Sequence, residues 1–210
     1  MNTPTPPPAS TPTPARRTST RQASLAVALR LFAERGFHGV SLADVAQALG
    51  LTKQAVLYHF KTKEALYAEV LAQVAQAHVA VLDQLELGAA APEARLGLWL
   101  RALFDYALAS PTEVRVLVRE LLDNQDRTAT KKRWVMREFL DACLALMAGD
   151  PHWGKKGLDE QTAALCQWVG AISYFVIAQD TFSALWSRAR VNAARRQFLD
   201  TLLLQVGAAR

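Results

Sequence analysis
A chain of 210 residues has room for one or two domains and a sizeable core, and its 24 Lys and Arg against 19 Asp and Glu leave a net charge of +5. No uninterrupted apolar run approaches the roughly 18–20 residues of a membrane span, and the N-terminus lacks the apolar stretch of a secretory signal. Cys143 and Cys166 are too far apart for a zinc pattern and read as buried thiols of a reducing cytoplasm, with no metal or cofactor expected.

The positive charge is unevenly spread. Residues 1–63 hold eight of the 24 basic residues but only two of the 19 acidic ones; residues 64–210 hold 16 and 17, near neutrality. A cationic head on a neutral body is the footprint of a polyanion binder. Residues 1–15 carry six of the nine prolines among Thr, Ser and Ala, and the composition predicts a disordered tail of polyproline II character. Arg16, Arg17 and Arg21 follow as a basic arm suited to phosphates or a minor groove.

From about Thr20 to Arg35, Leu25, Leu29, Phe32 and Ala33 mark an amphipathic helix stopped by Gly36. Ser41 with Asp44 three residues on is a capping pair for a second helix, whose Leu42, Val45, Ala46 and Leu49 share one face before Gly50. Thr52 then caps a third, in which Val56 and Phe60 point inward and Lys53, Gln54, Leu57, Tyr58 and Lys61 face out. Two short helices around a Gly-containing turn form a helix-turn-helix pattern, within a head spanning residues 16–63.

A fourth helix opens at Thr62 and, from Leu66, Val70, Val74, Ala77 and Val81, runs past residue 80 to join head to body. Pro92 precedes an amphipathic run through Leu96, Trp99, Leu100, Leu103 and Ala107. Ser110-Pro111-Thr112-Glu113 is a strong helix start, continued by Val114, Leu117, Val118 and Leu121. Another helix is expected to start within 126–132, carry Trp134, Phe139, Leu140, Cys143 and Met147, and end at Gly149. Asp159 is a candidate cap for a helix with Leu165, Val169, Ile172 and Val176 on one stripe; the last helix, about Arg188 to Val206, stops at Gly207. No segment shows strand alternation, so the fold class is all-α with about nine helices, residues 64–210 forming the second domain.

Residues 21–71 resemble the DNA-binding domain of the TetR/AcrR family of transcriptional regulators. The resemblance rests on ALRLFAERGFHGVSLADVAQALGLTKQAVLYHFKTKEAL: its LFxExG, its DVA and LG, and its Tyr-His-Phe-Lys-x-Lys-Glu segment. It implies a homodimer whose third helices enter the major groove of a pseudo-palindromic duplex operator. Lys53, Gln54 and Leu57 then face bases, while Ser41, Tyr58, His59 and Lys63 hold phosphates. The chemistry agrees, since Gln54 suits adenine and Lys53 suits guanine acceptors. One departure is Leu57, where the family usually has Tyr: a Leu contacts a thymine methyl but makes no hydrogen bond.

All five tryptophans lie in the body. Trp99, Phe104, Trp134, Phe139, Trp168 and Phe175 are the candidate lining of a pocket for a small hydrophobic effector. Ile172, Val176, Phe198 and Leu202 are the candidate dimer interface, closing a four-helix bundle across a two-fold axis. His38, His78 and His152 share no metal spacing. Gly149 to Lys156 nearly spells a phosphate-binding loop but lacks its Ser or Thr and follows a helix. With no nucleophile–base set, the chain reads as a non-enzymatic, ligand-responsive repressor without membrane association. The rival reading is an architectural DNA binder with no effector, which a filled body would favour over one with a cavity.

Overall fold
The computed structural model describes residues 14–123 and 135–207, all helix and connecting turns among those residues. The head comprises α1 (Pro14–Arg35), α2 (Leu42–Ala48) and α3 (Lys53–His59). α4 (Lys63–Asp83) crosses into the body, which holds α5 (Pro92–Ala109), α6 (Pro111–Asp123), α7 (Arg137–Ala148), α8 (Leu158–Trp186) and α9 (Arg188–Gln205). The expected tail, up to residue 13, and Trp134 lie outside the described residues. α1 starts at Pro14 rather than near Thr20, so all three residues of the expected basic arm, Arg16, Arg17 and Arg21, sit on a helix.

Local chemistry accounts for most of the boundaries. Thr52 and Thr62 accept the Ala55 and Ala65 amides at 3.3 and 3.1 Å, capping α3 and α4. Gly36 and Gly50 adopt φ of +72° and +65°, the left-handed turn that ends α1 and α2. At Gly36 a side chain would also meet Asp123 of α6 at 3.2 Å, so glycine lets α6 approach the end of α1. α8 is capped through the Gly157 amide and the Glu160 carboxylate, 3.2 Å apart, and Asp159 falls one residue inside the helix. α7 begins at Arg137, after a turn at Val135 and Met136; the start expected within 126–132 lies outside the described residues.

Two cores result. The head core gathers Leu25, Phe32, Val45, Val56, Phe60 and Leu66, while the body core gathers Trp99, Leu100, Phe104, Phe139, Met147 and Trp168. α6 serves both, and its buried face therefore departs from the single stripe expected. Val116 is buried in the head core and Val114 in the body core, Leu117 touches both, and Leu121 is exposed. On the head side, Arg119 donates to the Ala33 and Glu34 carbonyls at 2.8 and 2.9 Å, satisfying the C-terminus of α1. The buried Glu120 carboxylate accepts from the Tyr67 hydroxyl of α4 at 2.8 Å, and the Tyr67 ring packs on Phe32 and Phe37.

Residues Lys63–Ala89 and helix α8 are each long and apolar enough to cross a membrane by length and composition, although charges interrupt them. Core helices pass the same test. Half of the apolar window in Lys63–Ala89 is buried within the protein, but only 39% of that in α8 is. α8 therefore leaves more of its apolar surface outside the core than Lys63–Ala89 does.

The Tyr67–Glu120 bond makes a direct prediction. Tyr67→Phe should lower unfolding stability by about 1–3 kcal/mol, because it removes a donor from a buried carboxylate. Urea titration reads this as a lower midpoint at unchanged slope; an unchanged midpoint would remove the bond from the head–body joint.

Candidate nucleic-acid interface
The head presents α3 from a rigid turn. The Leu51 and Gly50 amides return to the Ala46 and Gln47 carbonyls at 2.9 and 3.0 Å, and Gly50 supplies the positive φ between them. Val56 and Phe60, fully buried, anchor α3 from within. The opposite face carries Lys53 and Gln54, both exposed, and Tyr58, 66% exposed. An exposed cation, an exposed amide and an aromatic hydroxyl on one rigid helix are what base edges and phosphates require.

The other expected contact residues are placed less simply. Leu57 is half-buried and packs against the head core, so the outward position expected of it is only partly available. His59 is half-buried between the rings of Tyr58 and Phe60, at 5.2 and 6.3 Å. Lys63 is half-buried; its ammonium donates to the Phe37 carbonyl at 3.1 Å and lies 4.3 Å from the Phe37 ring centre. It thus fastens the α1–α2 connection to the start of α4. Ser41 is exposed, but its hydroxyl donates to the Asp44 carboxylate at 2.6 Å. That bond and the Ser41 amide hold the Asp44 carboxyl below the usual carboxylate range. Arg21 pairs with Glu69 and lies 5.5 Å over the Phe60 ring. Arg16 and Arg17 lie in the first turns of α1.

In the body, the aromatic residues are mostly core rather than pocket lining. Trp99, Trp168 and Phe104 are buried, with Trp153 edge-on to Trp168 at 5.0 Å. Phe104 and Phe175 pack with Phe198, at ring distances of 5.4 and 4.6 Å. Among the described candidates Phe139 alone lines a small, partly open cavity of about 40 Å³, bounded by His78, Leu103, Ala107, Val114, Leu117, Met136, Val169, Ile172 and Ser173. The lining is chiefly aliphatic, and a search led by aromatic rings misses it. His78, read as an ordinary residue, has only its place on the inward stripe of α4 as a sequence signal.

The expected dimer interface also needs correction. Ile172 and Val176 are buried inside the protomer, and Ile172 lines the cavity instead. Phe198 and Leu202 form the floor of a surface groove of about 380 Å³ between α8 and α9. The outward face of α8 is Cys166, Gly170 and Tyr174, continuing to Thr181 and Leu185. Cys166 is therefore exposed; Cys143 is buried, and burial pushes its thiol pKa up.

A cationic three-helix head displaying α3, attached to an all-helical body, defines a helix-turn-helix DNA-binding protein. The family model described as bacterial regulatory proteins, tetR family, matches residues 25–70. The chain is 29% identical over 158 residues to the HTH-type transcriptional regulator RutR of Escherichia coli (strain K12), covering 73% of each. It is 35% identical over 127 residues to the HTH-type transcriptional regulator AcrR of Shigella flexneri, covering 60% of this chain and 58% of that one. In fold it is similar to a bacterial regulatory protein of the tetR family from Rhodococcus RHA1, with a TM-score of 0.67 at 19% identity, over 90% and 98% of the two chains. Residues 25–70 are thus a tetR-family DNA-binding domain, and the comparisons together support a TetR/AcrR family regulator, the relatives named here being regulators rather than enzymes.

Gln54→Ala should change which operators are preferred, costing about 1–3 kcal/mol at the base it reads and little elsewhere. Selection of bound sequences from a random duplex pool measures this. An equal loss on every sequence would take base reading away from Gln54.

Proposed function
We propose that the protein is a ligand-responsive repressor that binds a pseudo-palindromic operator as a homodimer and releases it when a small, mainly apolar effector enters the body. The observation that carries this reading is the position of α6. Val114 and Leu117 line the small cavity, and Arg119, less than one turn beyond Leu117, holds the C-terminus of α1. A molecule that enlarges the cavity bears on the same helix that sets the angle of the head. Such a molecule shifts the population only if it binds the released state better than the operator-bound one. An architectural DNA binder has no use for a cavity whose apolar walls are broken by His78 and Ser173.

The homodimer is supported by what α8 leaves uncovered. Tyr174 is 63% exposed and Leu204 on α9 is 63% exposed, beside the groove floored by Phe198 and Leu202. A second copy related by a two-fold axis covers both helices and closes a four-helix bundle. Two α3 helices can then be set about 34–36 Å apart, or a multiple of that, as successive major grooves demand. Lys53, Gln54 and the accessible part of Leu57 face bases; Tyr58, His59 and the basic residues of α1 approach phosphates. Lys63 acts chiefly by holding the α1–α2 connection, and Ser41 by capping α2.

Tyr174→Glu should yield monomers in sedimentation, with operator affinity falling to that of one half-site. A dimer that survives this change would move the interface elsewhere. A reporter placed behind the selected operator should fall in expression when the chain is supplied; a rise would make the protein an activator.

A further inference from the structure
We infer that the effector is a small, uncharged, mainly apolar molecule carrying one hydroxyl, which donates to Nε2 of His78 and accepts from the Ser173 hydroxyl. This rests on the reading of the cavity as the effector site, and it names the chemistry that the site selects.

His78 lies on α4, 5% exposed, and its ring lines the cavity. Its Nδ1 is 2.8 Å from the Val74 carbonyl oxygen, which only accepts, so Nδ1 carries the proton. In the neutral ring Nε2 is then an acceptor, and it has no hydrogen-bond partner among the described residues. Burial lowers the imidazole pKa and outweighs the raising influence of the Val74 carbonyl and of Glu113, so the ring stays neutral near pH 7. The ring cannot readily turn away, because Tyr106 and Phe139 stand edge-on to it at 5.2 and 5.6 Å. The Tyr106 hydroxyl is itself committed to Glu113.

Ser173, on the facing helix α8, lines the same cavity. The described lining holds no Lys, Arg, Asp or Glu. A carboxylate or an ammonium group would find no counter-charge there, and a plain hydrocarbon would leave Nε2 unpaired. A hydroxyl satisfies both polar groups at once, because it donates and accepts. The remaining walls are Ala, Leu, Val, Ile, Met and Phe side chains, which fit an apolar remainder. At about 40 Å³ the cavity is too small for an aromatic ring as it stands, so a ring-bearing ligand must move part of the lining as it enters.

Phenol and toluene separate the chemistry, having the same ring with a hydroxyl or a methyl group. An apolar cavity favours toluene, since phenol must lose its hydration. Calorimetric titration of the full chain should instead show phenol binding at least about tenfold more tightly than toluene, with benzoate weaker than either, as expected of a site that pairs a hydroxyl. His78→Phe, which keeps a ring against Tyr106 and Phe139, should bring phenol and toluene within about threefold of each other. Ser173→Ala should narrow the gap by a smaller factor, and decides the matter alone if the His78 variant does not fold. Equal binding of the two probes, or a tenfold gap surviving both substitutions, overturns the assignment to His78 and leaves the cavity standing as an effector site. Binding of neither probe overturns the inference together with the effector reading of the cavity.

Discussion
The structure depends on one helix serving two cores. α6 buries Val116 among head residues and Val114 among body residues, with Leu117 in contact with both. A helix sandwiched in this way cannot slide or tilt without disturbing one core or the other. Its polar residues reinforce the head side: Arg119 takes carbonyls that α1 leaves unsatisfied at its end, and Glu120 receives the Tyr67 hydroxyl of α4. Hydrogen bonds to charged groups are each worth about 1.5–3 kcal/mol. The head is thus held to the body by discrete polar contacts as well as by apolar packing.

That arrangement changes how the positive charge of the head should be read. Arg21 is paired with Glu69, Lys63 is seated on Phe37, and Arg119 is spent on α1 although it belongs to the body. Cations counted along the chain are therefore not all cations offered to DNA. Lys53 at the start of α3 and Lys61 just beyond its end are exposed, with Gln54 and Tyr58 between them, and are the accessible cations nearest the reading face. Fixing Lys63 internally has its own use, because α3 is only seven residues long and depends on its surroundings for rigidity.

The head was largely legible because its signals are local. Ser41 and Asp44, Thr52 and Gly50 each act within four residues, and each does in the structure what its chemistry implies. The body was legible as helices but not as surfaces. Hydrophobic spacing identifies a buried stripe without saying whether it faces its own protomer or another, so Ile172 and Val176 read as interface although they are core. α6 misled for the opposite reason: two buried faces blur the single period that marks an amphipathic helix. The cavity was illegible because it is a packing defect among aliphatic residues from α4 to α8, and no run of sequence records where packing is incomplete. Asp159 and Glu160 show the finer limit. Both are plausible at a helix start, and only the backbone decides that Glu160 reaches the Gly157 amide.

The cavity's small size bears on how an effector would act. A volume of about 40 Å³ holds little more than a few water-sized spheres. Any larger ligand must move a wall, and the walls differ in resistance. α8 is backed by the body core and by α9, whereas α6 is backed by the head core through Val116 and Leu117 and by the bonds of Arg119 and Glu120. On the proposed reading α6 yields first, and the movement withdraws Arg119 from the end of α1. Allosteric coupling of ordinary strength is about 1–3 kcal/mol. That equals the worth of roughly one charge-assisted hydrogen bond of the kind Arg119 makes. Releasing the operator therefore requires no remodelling of the fold. The cost of opening the cavity and the loss of head alignment are the same displacement seen from opposite faces of α6.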